Sequence, residues 1–68
     1  MENQERMLKH FDYEHLQRED LKAVARRFRD LAHVLVKLVP AGPERTVSLR
    51  KLLESKDAAV RAVAIPET

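Results

Sequence analysis
The sequence predicts an all-α protein: an antiparallel two-helix hairpin with a short N-terminal helical segment, assembling as a homo-oligomeric helical bundle. Three observations predict it. Two stretches of about 20 residues repeat apolar side chains at intervals of three and four. Between them, Pro40-Ala41-Gly42-Pro43 holds two of the three prolines and the only glycine. Finally, a chain of 68 residues with no cysteine is one domain at most and has no covalent staple. A domain of that size buries only about 60% of the surface its unfolded chain exposes, which leaves oligomerisation as the remaining reinforcement.

The elements follow in order. In the N-terminal segment, residues 1–17, Met7, Leu8 and Phe11 stand at helical spacing and predict a short helix over roughly Gln4 to Phe11, packed across the hairpin. The first long helix is predicted over residues 20–39, its apolar face formed by Leu21, Val24, Ala25, Phe28, Leu31, Ala32, Leu35, Val36 and Val39. Pro40 ends it, because proline disfavours helical geometry in the residue before it, and Gly42 can take the left-handed conformation that a tight reversal often needs. The turn spans residues 40–43. Pro43 suits the first position of the next helix, where a missing N–H is no loss, and Glu44 sets a negative charge at the positive end of its dipole. That second helix is predicted over residues 43–64, with Leu49, Leu52, Leu53, Ala59, Val60 and Val63 on its apolar face; Pro66 closes it, and residues 65–68 form a tail.

One helix cannot cover the whole apolar arc of the other. Leu31 and Leu38 lie at one flank of the first helix and Val36 at the other, and the alanine-rich run AAVRAVA offers a second close-packing surface, so a homo-oligomer is expected. No apolar run approaches the roughly 20 residues of a membrane span, and MENQERMLKHF is too charged for a signal peptide. A soluble, cytoplasmic protein is the expectation.

Net charge is only +2, too little to argue a nucleic-acid partner, but its distribution is uneven. Residues 1–17 carry four acids against two bases, residues 18–37 three against six, and residues 44–61 three against five. On the first helix Lys22, Arg26, Arg29, His33 and Lys37 fall within an arc of about 80° beside the apolar face. Two readings are open: a solvated flank whose stems cover the core edge, or an anion-binding wall in which arginine forks engage phosphate. Tyr13 and Phe11 are similarly divided between pinning the N-terminal segment and stacking on a nucleobase. The start of the second helix, with Arg45, Thr46 and Ser48, is either ordinary capping or a second anion site. Lys56 falls in the middle of the apolar arc, where its stem either snorkels to the edge or faces a polar cavity between subunits.

Catalysis finds no support. His10, His15 and His33 lack metal-ligand spacing, no nucleophile is paired with a base and an orienting acid, and no cofactor is expected. A DNA-binding helix-turn-helix is disfavoured because two long helices with matching apolar faces lie antiparallel, and because the basic residues sit mostly on the first helix.

The run LAHVLVKLVPAGPERTVSLRKLLESKDAAVRA, preceded by HFDYEHL, resembles the small helical hairpin proteins by which phages sequester the cyclic nucleotides of CBASS and Thoeris defence. The likeness spans Phe11 to Ala64 and rests on the order of F-x-Y, the basic helix ending in LAH, the proline-bounded turn, E-R-T-x-S-L and K-L-L-E. It implies a sponge: a hexamer of hairpins that binds cyclic dinucleotides in pockets shared between protomers and releases them intact, with separate three-fold sites for cyclic trinucleotides in some relatives. It also implies that Tyr13 stacks on a base and that Arg29, in R-D-L-A, stands where relatives usually carry a ligand-contacting lysine. The expected cyclic-nucleotide site is therefore Tyr13, Arg26 and Arg29, with Phe11, Lys22 and His33 around them, and the possible second anion site is Arg45, Thr46 and Ser48. The rivals are an oligomeric protein-interaction module and a DNA-binding accessory protein.

Overall fold
A computed structural model of the chain describes residues 7–11, 13 and 18–65. Its described residues are helical with no strand: a 3-10 turn over Leu8–Phe11, helix α1 over Glu19–Leu38 and helix α2 over Pro43–Ala64. The predicted helix boundaries hold to within one residue for α1 and coincide for α2. In the N-terminal helix expected over Gln4 to Phe11, Met7 is helical and Leu8–Phe11 form a 3-10 turn, while residues 4–6 and 66–68 lie outside the described residues.

Both helices start on the charges the dipole favours, Glu19 and Asp20 in α1 and Glu44 in α2. Ahead of α1, Arg18 donates to Asp20 through Nε (3.1 Å) and Nη2 (2.6 Å), and the Leu21 N–H donates to Asp20 Oδ1 at 2.8 Å. The Arg18 hydrogen bonds, opposed by desolvation and aided by the Leu21 N–H, hold the Asp20 carboxyl below the ordinary aspartate range.

At the reversal, Val39 turns extended (φ −101°, ψ 129°), as the following proline requires, and its N–H donates back to Leu35 O at 2.9 Å. Gly42 departs from expectation: at φ 158°, ψ 178° it is extended on the positive-φ side and not in the compact left-handed turn. That region is essentially reserved for glycine. Gly42 supplies no side-chain cap to α2; its carbonyl accepts the Thr46 N–H at 3.1 Å and the Thr46 hydroxyl at 3.2 Å.

Arg45 completes the turn. In a continuing helix the Val36 carbonyl would accept the N–H of residue 40, but Pro40 has none. Arg45 Nη1 donates instead to Val36 O and to Val39 O, each at 2.9 Å. The side chain reaches back from the first turn of α2 to the last turn of α1 and is only 7% exposed. Its Nε is buried without a hydrogen-bond partner among the described residues.

The core is small. Phe11, Ala32 and Leu49 are fully buried in one cluster, with Met7, Leu8, Phe28, Leu35, Val36, Leu52 and Leu53 packed around it. Ala25 and Ala32, seven residues apart, are both fully buried, and their small side chains allow close approach along that face of α1. Phe11 thus comes from the 3-10 turn to meet a residue from each helix, and Lys56 fixes that turn from beneath: its Nζ donates to His10 O at 2.8 Å and lies 3.5 Å from Asp57 Oδ1. Of the two readings open for Lys56, neither is observed; the side chain is buried at 9% exposure and holds backbone.

Replacing Arg45 with Met should lower stability by about 2 kcal/mol, since the Val36 carbonyl then has no donor; an unchanged urea midpoint would contradict this. Asp20 should titrate below an unstructured aspartate by carboxyl-detected NMR, and rise toward the ordinary value in Arg18→Ala, the Leu21 N–H still holding part of the shift. Because its folded pKa is lowered, the Asp20 contribution to stability is present above the unfolded pKa and is lost as pH falls through the folded one.

Candidate functional site
The basic stripe of α1 and Tyr13 come together. Turns of α1 present Lys22, Arg26 and Arg29 on one side, and the chain emerging from the 3-10 turn lays Tyr13, half-buried, against them. The Arg29 guanidinium carbon sits 5.9 Å from the centroid of the Tyr13 ring, within cation–π range. That contact covers part of the ring and holds the guanidinium, which is also 3.5 Å from Asp30 Oδ1, close to the aromatic surface.

Beside Tyr13 lies an open depression of about 170 Å³ lined by Tyr13, Glu19, Lys22, Ala23 and Arg26. A second depression, about 260 Å³, adjoins it along α1 and is lined by Ala23, Arg26, Arg27 and Asp30. Ala23 and Arg26 are common to both, and Ala23 keeps the floor low between longer neighbours. The charge is mixed: Glu19 stands 4.0 Å from Lys22 Nζ, and Asp30 faces Arg29, which lines neither depression, so two arginines and a lysine stand against two acids in the lining itself. Such a wall attracts phosphate, with planar forks able to engage two oxygens at once. Each depression is smaller than the roughly 300–1,000 Å³ of a typical small-molecule site.

Tyr13, Lys22, Arg26 and Arg29 thus lie together on one side of α1, and Arg27 and Ala23 lie beside them. Arg27 was missed because it sits one step outside the stripe; its position beside Arg26 was the only signal for it. Two expected members are elsewhere. Phe11 is fully buried in the core and has no face to offer a base, so its role as a ligand contact is corrected to that of a core residue. His33 is exposed one turn beyond Arg29 and lines neither depression.

The second anion site is corrected as well. Arg45 points inward to the α1 carbonyls, and the Thr46 hydroxyl is turned to Gly42 O, so the guanidinium and that hydroxyl act in capping the turn; Ser48 is half-buried one turn along. Among the described residues, no group of His, Asp and Glu could hold a metal ion, and no helix is long and apolar enough to cross a membrane. No protein-family model, curated protein or solved structure shows significant similarity to the chain.

Proposed function
We propose that this protein is a non-catalytic binder that sequesters cyclic oligonucleotide second messengers, cyclic dinucleotides first, in a pocket completed by a second protomer. One observation carries the reading: the tyrosine sits against Arg29, beside Lys22 and Arg26, around a depression too small to enclose a ligand alone. A cyclic dinucleotide presents two phosphates and two base faces. Two protomers related by a two-fold axis would meet it with two tyrosines and two sets of cations, stacking outside and charge between. Sequestration then needs affinity and copy number, with no bond made or broken. The resemblance to phage sponges of CBASS and Thoeris signals points the same way; it would put the activity in the cytoplasm of a bacterial host, with cyclic trinucleotides as secondary ligands in some relatives.

The surface supports the assembly this requires. Leu31, Val34 and Leu38 are exposed at intervals of three and four on one side of α1, Leu38 at 74%, with Val47 exposed on α2. A second copy of the chain covering that stripe makes a homo-oligomer, a hexamer by the family pattern. The same stripe is the one observation favouring the second reading, a protein-interaction module that binds no nucleotide.

Titration calorimetry with a panel of cyclic di- and trinucleotides separates the two. Binding of a cyclic dinucleotide is expected, weakened by about 5- to 150-fold in Tyr13→Ala, the loss of one to three kcal/mol typical of a stacked base; no heat and no thermal shift with any cyclic nucleotide would overturn the proposal. By sedimentation, the wild type should be larger than the 7.9 kDa chain and Leu38→Asp should shift toward it. A folded wild-type monomer at nanomolar concentration would contradict the shared pocket.

A further inference from the structure
Lys56 occupies a position that the fold alone would give to an apolar residue. It follows Leu49, Leu52 and Leu53 in the buried register of α2, it is buried at 9% exposure, and its stem runs beneath the 3-10 turn. Burying an ammonium is costly unless its donors are met, and a methionine or leucine would fill the same space without that cost. The donor has one close acceptor, the His10 carbonyl at 2.8 Å, and a looser one in the half-exposed Asp57 carboxylate at 3.5 Å. His10 is the residue before the buried Phe11 and three before Tyr13.

We infer that Lys56 is the positioning residue of the candidate site: by gripping the His10 carbonyl it fixes the end of the 3-10 turn and so holds the Tyr13 ring against Arg29. The reach of the chain makes the coupling tight. Three residues span at most about 10 Å, so once His10 and Phe11 are both held, Tyr13 has little room to leave the α1 surface. Phe11 alone is an apolar plug that can rotate about its own axis and does not fix the direction of the following chain. A directional, charge-assisted hydrogen bond to the carbonyl beside it does. The placement of Tyr13 is thereby set from α2, on the opposite side of the core from the cations it joins.

As a statement about ligand binding this inference rests on the proposed function, but its test does not. Tyr13 is the only tyrosine and there is no tryptophan, so tyrosine emission and the tyrosine band of the near-ultraviolet circular dichroism report this one ring. In the full chain, Lys56→Met should retain its far-ultraviolet helix signal, lose the tyrosine dichroism, and show a rise of at least two-fold in the acrylamide quenching constant. Lys56→Arg, which restores a donor, should recover part of both. Affinity for 3′,5′-cyclic di-guanosine monophosphate should fall ten-fold or more in Lys56→Met, with Tyr13→Ala adding little to that loss. If the tyrosine signals respond in this way and the wild type binds no cyclic nucleotide, the positioning role stands and the proposed ligand falls. Unchanged tyrosine dichroism and quenching in a folded Lys56→Met would overturn the inference. Loss of helix signal in both Lys56→Met and Lys56→Gln would overturn it equally, by making Lys56 a requirement of the fold.

Discussion

Two helices lying side by side can hide only one stripe each from water, and in this chain a third wall comes from the four residues Leu8–Phe11, through the complete burial of Phe11. Full burial of a phenylalanine contributes about 1.5–3 kcal/mol, a large share of the stability of a domain this size. The contact with Ala32 and Leu49 ties the N-terminal turn to both helices at once. Tyr13, two residues beyond Phe11, is anchored from there together with the Lys56 hydrogen bond to His10 O, and its apposition to Arg29 has meaning only if the intervening chain leaves the core in a fixed direction.

A second constraint runs through the molecule. Helix ends leave carbonyls without partners, and here cationic side chains from other elements supply donors. Arg45 serves the end of α1 where Pro40 removed the natural donor, Lys56 serves the end of the 3-10 turn, and Arg18 Nη1 reaches the Ala64 carbonyl at 3.5 Å near the end of α2. Cations near a helix C-terminus also complement the dipole. Among the described residues, Arg18, Arg45 and Lys56 are thus committed to backbone, which separates them from Lys22, Arg26, Arg27 and Arg29 on the open side of α1. The same residue type does two jobs, and burial distinguishes them: two of the three carbonyl-holding cations are inside, while those beside Tyr13 face solvent wholly or in part.

Local rules made the helices legible. Apolar spacing, Pro40 and Pro43 fixed the ends of α1 and α2 because each acts on its own or adjacent backbone. The stripe from Lys22 to Arg29 followed from helical geometry for the same reason. What escaped depends on which side chain meets which distant carbonyl. Periodicity placed Lys56 on the apolar face but contained nothing about His10, 46 residues away. It marked Arg45 as a cation at a helix start, leaving ordinary capping and an anion site both open, and could not show that the side chain folds back past Gly42 to the carbonyl Pro40 had orphaned. Phe11 and Tyr13, two residues apart with similar rings, looked equivalent; the 3-10 turn sends one into the core and leaves the other half-buried against Arg29.

The central claim is that Tyr13, held from below and flanked by cations, is the face on which a nucleobase stacks. With a single tyrosine in the chain, selective isotope labelling of that residue gives one set of ring resonances. On titration with a cyclic dinucleotide, the Tyr13 ring protons should move upfield by the ring current of a stacked base, while the Phe11 ring, sealed in the core, stays in place. Tyr13 resonances that do not move at saturating ligand would contradict the account.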